Sequence, residues 1–268
     1  MPTLAVAVVK ADRNIMANLT IDPIEAFRHV VAEAEALLSA FDGARMIVAP
    51  EYFLNERKTG NVNVPEVMSK SDKHALYKKL KTISAGAGNT ILVAGSIFYK
   101  KGLLSKVGLN VCPVLRNGNI IYKYYKAFDD GSLGQNDPNA EYDSKDTGPI
   151  FQSDGITFGI EICGDIADVA AAQRNWQGQD NSGSVQVHIV IADGAGMPNN
   201  KIQAGPGGYA IMTDLQSGTT SVRYSAGGNW QGTFAHGALV RGDTDVQHTA
   251  AGLSNATGAK IRVYDLTV

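Results

Sequence analysis

Cysteine is nearly absent: 268 residues contain two, Cys112 and Cys163. They could form at most one disulfide. MPTLAVAVVK at the start has neither a basic leader nor a cleavage-like end and reads as a first strand, so two free thiols in a reducing, cytoplasmic compartment are expected. No apolar run approaches the ~20 residues that a membrane-spanning helix needs, and no membrane partner is expected. Net charge is also lacking, with 24 Lys and Arg against 26 Asp and Glu. That leaves no field to attract nucleic acid or an anionic surface. Lys78, Lys79 and Lys81 read as the wet face of a helix. Neither a histidine pair nor a Cys-x-x-Cys stands at ligand spacing, and no Walker-type phosphate loop occurs, so no metal or other cofactor is expected. Repeats, low-complexity linkers and composition breaks are missing as well. What is present is 44% hydrophobic, enough for one sizeable core, and residues 1–268 read as a single domain.

Strands and helices alternate early and hairpins follow, which argues for one layered α/β or α+β domain. Leu4 to Ala11 has the continuous apolar character of a buried strand. Asp22 and Pro23 open a helix, with Glu25 placed to close a capping box. Ile24, Phe27, Val30, Val31, Ala34, Leu37, Leu38 and Phe41 then follow at helical spacing up to Gly43. Arg45 to Glu51 is a strand, Ser71 to about Ala85 a helix capped near Gly86 to Gly88, and Thr90 to Tyr99 a strand. Leu109 to Leu115 and Ile120 to Phe128 flank Asn117-Gly118, a pair that tolerates positive φ and signals a hairpin. Gly155 to Cys163 is a strand, followed by a helix to about Trp176, and His188 to Ala192 is another strand. From Gly207 onward short strands with glycine-rich turns are expected.

Three reactive side chains close apolar strands: Glu51 after RMIVAP, Lys126 late in IIYKYYKAF, and Cys163 at the end of GITFGIEIC. Carboxyl ends of strands are where open α/β sheets build their sites. Singly, each has a bland reading: a solvated glutamate, an edge lysine, a small buried hydrophobe. Cys112, between Val111 and Pro113, reads as a packing residue.

In this order, VAPEYF, YYKAF and GIEICGDI resemble the signatures of the nitrilase, or carbon–nitrogen hydrolase, superfamily, over roughly Leu4 to Met197. The resemblance implies a four-layer α-β-β-α sandwich and a Glu51–Lys126–Cys163 triad that cleaves C–N bonds of small amides, carbamoyl compounds or, less commonly, nitriles. The thiol, with an ordinary pKa near ~8.5, must lose its proton to attack, and Glu51 is placed to take it. Lys126 and the N–H of Gly164 are the expected oxyanion donors. Tyr52 is expected to line the substrate site, and Asp165 to fix the turn after the cysteine. The family's second glutamate falls on Glu141, although the Phe-x-Pro-Gly pattern around that residue is missing. Glu161, two residues before Cys163, is expected to line the pocket or to pair with Lys123. Lys123 and Lys126 are an odd number apart, so their side chains leave opposite faces, and Lys126 is the expected working lysine.

The match thins after Ala192. DGAGMPNNKIQAGPGGYAIMTD replaces the family's long helix with glycines and prolines. That puts in doubt the homodimer or higher homo-oligomer and the pocket wall that this helix helps to build. Tyr209 and Trp230 are packing or pocket residues. A Cys–His hydrolase using His188 or His236, an acyltransferase with the same triad, and a binding protein that keeps the fold without turnover stay open.

Overall fold

Alternation along the first strand decides the architecture. In β1 (Thr3–Lys10), Leu4, Val6 and Val8 join one buried cluster and Ala5, Ala7 and Val9 the other. A strand covered on both faces must be apolar at every position. The computed structural model describes residues 2–19, 21–102, 105–129, 131, 141–143, 145, 147–167, 185–198, 201–225, 234–236, 239–250 and 253–268, with backbone alone over 225–258.

The elements in chain order are β1, α1 (Arg13–Ala17), α2 (Pro23–Leu38), β2 (Ala44–Val48), β3 (Arg57–Lys58), β4 (Asn61–Pro65), α3 (Lys70–Gly86), β5 (Ile91–Val93), β6 (Ile97–Lys100), β7 (Val107–Arg116), β8 (Asn119–Tyr125), β9 (Glu141–Tyr142), β10 (Ile150–Ser153), β11 (Ile156–Ile162), α4 (Gly164–Ala167), β12 (Val185–Ala192), β13 (Ala204–Asp214), β14 (Thr219–Ser225), β15 (Phe234–His236), β16 (Leu239–Ala250) and β17 (Leu253–Thr267). Among the described residues a nine-stranded sheet runs β16-β17-β1-β2-β5-β7-β6, with β8 and β9 also paired to β7. A six-stranded sheet runs β10 to β15 in sequence order. The two pack face to face: Leu4, Val48, Val93 and Val114 of the first share a cluster with Phe158, Ile160 and Ile189 of the second. Helices α2 and α3 cover the other face of the first sheet, with Phe27, Val30 and Leu80 against Ala7, Ile47 and Leu92. Each large apolar side chain fully buried in this way contributes ~1.5–3 kcal/mol.

Most expected elements form. Asn117 and Gly118 take φ of 47° and 75° in the β7–β8 turn. Asp22 caps α2 by accepting from the Ile24 N–H at 3.0 Å. Glu25 does not complete the box, because its carboxylate turns to Arg28 Nε at 2.8 Å. Helix α1 was not foreseen; it is five residues long and capped by Asp12 on Ile15 N. The strand expected from Thr90 to Tyr99 is two strands broken at Ala94 to Ser96. Gly95 has φ 76°, and a Cβ there would lie 2.3 Å from the Pro50 carbonyl oxygen. The chain gives way so that the turn after β2 can enter. After β12, strands β13 to β17 replace the long helix, as the glycines and prolines require. Tyr209 packs on Tyr224, with ring centroids 5.1 Å apart. Of the helix expected to Trp176, Gly164–Ala167 is described; its remainder and Trp230 lie outside the described residues.

Candidate active site

Pro50 and Glu51 follow β2 after one residue, Ala49. Pro50 permits no continued ladder, and Tyr52 takes φ 56°, so the chain turns inward. The turn is held from behind. Tyr52 N–H donates to Ser96 Oγ at 3.1 Å, within the break between β5 and β6. Asn55, fully buried, donates to the Glu66 and Phe98 carbonyls and accepts from the Phe98 N–H at 3.0 Å.

Glu51 is entirely buried, and its Oε1 accepts from Lys126 Nζ at 2.9 Å and from Asn110 Nδ2 at 2.8 Å. Lys126 lies one residue beyond β8 and is 1% exposed. Its N–H donates to the Asn110 carbonyl at 2.9 Å, and its carbonyl accepts from Tyr142 Oη at 2.7 Å. Two unit charges sealed from water this way persist only when paired and hydrogen-bonded. Lys123 goes elsewhere, with its Nζ 5.2 Å from the Tyr77 ring on α3, so the odd spacing separates the two lysines as expected.

Cys163 follows β11 directly, at φ 48°, with its N–H bound to the Ile191 carbonyl at 2.9 Å. A non-glycine residue in the left-handed region costs roughly 1–2 kcal/mol, and such strain gathers at functional turns. Two residues on, Asp165 fastens this turn to the lysine segment. Its carboxylate accepts from Phe128 N at 2.7 Å, Ala127 N at 3.1 Å and Tyr124 Oη at 2.7 Å. Burial pushes the Asp165 carboxyl up to about 7, against the pull of Lys126 and of these donors. Gly164 is tightly covered here: a Cβ would lie 2.6 Å from Phe128 Cδ1, so the Phe128 ring would have to shift to admit one. The nucleophile candidate and the lysine candidate therefore sit on two segments bolted together.

Tyr52 is buried, its ring centroid 5.9 Å from Lys126 Nζ. Glu141 is exposed on the two-residue strand β9, and its neighbour Tyr142 turns inward to the Lys126 carbonyl. Glu161 is buried as expected, close enough for its charge to raise the Asp165 carboxyl beside the Cys163 turn. Its Oε2 lies 3.0 Å from His188 Nε2. Gln203 N–H donates to His188 Nδ1 at 3.1 Å, so Nε2 carries the hydrogen toward Glu161. Both ring nitrogens of His188 are thus engaged; the side chain of His236 lies outside the described residues. Cys112 is fully buried, and burial alone pushes its thiol up, as suits a packing residue. Asn110 and Asn55 were missed. Their one signal was a polar residue inside an apolar run, LNVCPV for the first and YFLN for the second. Among the described residues no group of His, Cys, Asp and Glu could hold a metal ion, and no helix is long and apolar enough to cross a membrane.

The two facing sheets share the fold of solved proteins of the nitrilase superfamily. The chain is similar in structure to an amidase from Nesterenkonia sp., with a TM-score of 0.62 and 14% identity, covering 98% of this chain and 90% of that one. A glutamine-for-glutamate variant of that amidase, in which acrylamide has added to the active-site cysteine, gives a TM-score of 0.64 at 13% identity over 98% and 93%. Nit3 of Saccharomyces cerevisiae, from branch 10 of the nitrilase superfamily, gives 0.61 at 13% over 99% and 90%. No family profile and no curated protein matches the chain by sequence.

Proposed function

We propose that this protein is a thiol hydrolase that cleaves a non-peptide C–N bond in small amides or carbamoyl compounds. The observation that carries the proposal is the sealed Glu51–Lys126 pair at 2.9 Å beside a strained cysteine turn that Asp165 locks to the lysine segment. Glu51 takes the Cys163 proton as sulfur attacks the carbonyl carbon. Lys126 and the Gly164 N–H stabilise the oxyanion, typically by ~3–4 kcal/mol per donor. The proton passes to the leaving nitrogen and ammonia departs, leaving a thioester. Water, deprotonated by Glu51, releases the acid and restores the thiol. The relatives named above support this reading: one is an amidase, and in its acrylamide adduct the active-site cysteine carries the added group.

The test is ammonia release across a panel of small amides, with an electrophilic acyl probe read by mass spectrometry. Cys163 should be labelled and buried Cys112 should not, and Cys163→Ala should abolish turnover while the protein stays folded. Turnover retained within about tenfold in Cys163→Ala overturns the mechanism. Labelling without ammonia release points to acyl transfer, and absence of labelling to a binding protein.

A further inference from the structure

Lysines gather at the start of α3 without acids to match them. Lys70 opens the helix and Lys73 follows one turn on, at the end where the helix dipole makes a cation costly. Lys73 is 6% exposed. Its Nζ lies 4.2 Å from the Tyr99 ring centroid and 5.2 Å from that of Tyr77. Lys123 Nζ lies 5.2 Å from the same Tyr77 centroid, and Lys145 Nζ 4.9 Å from that of Tyr125. A ring face steadies a cation without neutralising it. Among the described residues none of these four lysines has a carboxylate partner; the lysines that do are Lys79, Lys101 and Lys126. Asp143, close enough to act on Tyr99, is already paired with Lys101 at 3.2 Å.

The four charges meet. Burial and then the charges of Lys123, Lys70 and Lys145 hold the Lys73 amine below its ordinary value. Lys73, ahead of the other lysines, holds the exposed His74 imidazole down in the same way. A charged side chain more than nine-tenths buried is normally paired, so the counter-ion Lys73 lacks must come from outside the chain. Lys70 and Lys145 are exposed and Lys123 is half-buried, which leaves the cluster open to solvent. The kind of cation narrows the kind of anion. An arginine fork matches the flat face of a carboxylate, whereas an ammonium acts as a point charge and suits the dense charge of a phosphoryl group. All four cations here are ammonium groups.

We propose that this cluster binds a small, multiply charged anion of the phosphate class, with Lys73 as the innermost cation and Lys70, Lys123 and Lys145 around it. Inorganic diphosphate and a soluble phosphate ester share the chemistry that the site would recognise. Lys123 leaves the opposite face of its strand from Lys126, so the site is separate from the triad and does not rest on the hydrolase reading.

The test titrates sodium pyrophosphate into the full chain by calorimetry at constant ionic strength, with glycerol phosphate and citrate in parallel. Wild-type protein should bind pyrophosphate at a single site. Lys73→Met should weaken that binding by about 10- to 100-fold, the span of one hydrogen bond between charged groups. Lys123→Met should weaken it in the same direction, and it carries the reading if Lys73→Met unfolds by circular dichroism. Lys79→Met removes an equal charge from the same helix, where Lys79 pairs with Asp22 at 3.4 Å, and should stay within about twofold, as an exposed pair implies. Glycerol phosphate tells an ester from the inorganic ion: whichever binds more tightly should depend on Lys73. Citrate, also multiply charged but built of carboxylates, should bind more weakly than either. Absence of saturable binding in wild type overturns the proposal, as does affinity unmoved in both Lys73→Met and Lys123→Met. An equal loss in Lys79→Met would reduce the site to diffuse charge, and citrate binding as tightly as pyrophosphate would overturn the phosphate assignment.

Discussion

Breaking the Glu51–Lys126 pair should cost stability and activity by separable amounts. At 2.9 Å and an effective dielectric of about 20, the attraction is about 6 kcal/mol before desolvation is subtracted. Lys126→Met removes the cation and leaves a fully buried carboxylate that still accepts from Asn110 Nδ2. Removing one partner of a buried pair typically costs ~3–5 kcal/mol, a large share of the ~5–15 kcal/mol that holds a domain folded. Glu51→Met should cost a similar amount by stranding the ammonium. The double variant Glu51→Met/Lys126→Met removes both charges and should recover most of the loss, since apolar replacement of a buried pair is near neutral. Urea unfolding reads this directly: midpoints should drop in each single variant and return in the double at unchanged m. Ammonia release should be lost in all three. A loss below about 1 kcal/mol in Lys126→Met, the range of a solvated surface pair, would refute the burial argument. Activity that returns with stability in the double variant would refute the catalytic one.

Lys126→Ala should lower kcat far more than KM on any amide turned over, because the ammonium counts most once charge sits on the oxygen; Lys123→Ala, assayed beside it, should remain within a few-fold of wild type, and the opposite ranking would mean the lysines are misassigned. The Asp165 carboxyl titrates near 7 when folded, against 3.8 as its ordinary value, so between those values the folded state holds the extra proton. Its contribution to stability is therefore full below the lower value and is lost as pH rises through the upper one, with a slope of up to ~1.4 kcal/mol per pH unit. Urea midpoints taken below, between and above the two values should show this fall, and Asp165→Asn should abolish it; a slope unchanged in the variant assigns it elsewhere. Gly95→Ala forces a side chain to φ 76° and to 2.3 Å from the Pro50 oxygen. It should lower stability by about 2–4 kcal/mol, within the range for strained backbone sites, and reduce activity by shifting Glu51; wild-type behaviour in both assays would remove the turn-support role given to Gly95.

The two-sheet plan and the meeting of Glu51 with Lys126 were legible because local signals agreed with them: continuous apolar strands, Asp22-Pro23 at a helix start, Asn117-Gly118 at a turn, and reactive side chains where strands end. What stayed hidden depended on partners remote in sequence. Asn110 faces Glu51 across 59 positions and Arg57 faces Asp193 across 136, and no local pattern reports such pairings. The surroundings of Glu141 and Glu161 were hidden for a related reason. Spacing alone ranks carboxylates by distance along the chain, whereas strand alternation and the left-handed turn at Cys163 decide where they point.

β1 is made about 250 residues before β17 (Leu253–Thr267), which closes one of its two edges, Thr3 pairing with Thr267 and Lys10 with Lys260. On a ribosome adding ~5–20 residues per second, that edge stays bare for roughly 10–50 s. Throughout that interval the nascent chain carries an apolar strand with unpaired N–H and C=O groups, a template for any other extended segment nearby. High-level synthesis therefore sets folding against self-association. Slower initiation or a lower growth temperature should raise the soluble yield, and a fragment that ends before β17 should collect in inclusion bodies even though it contains every member of the triad.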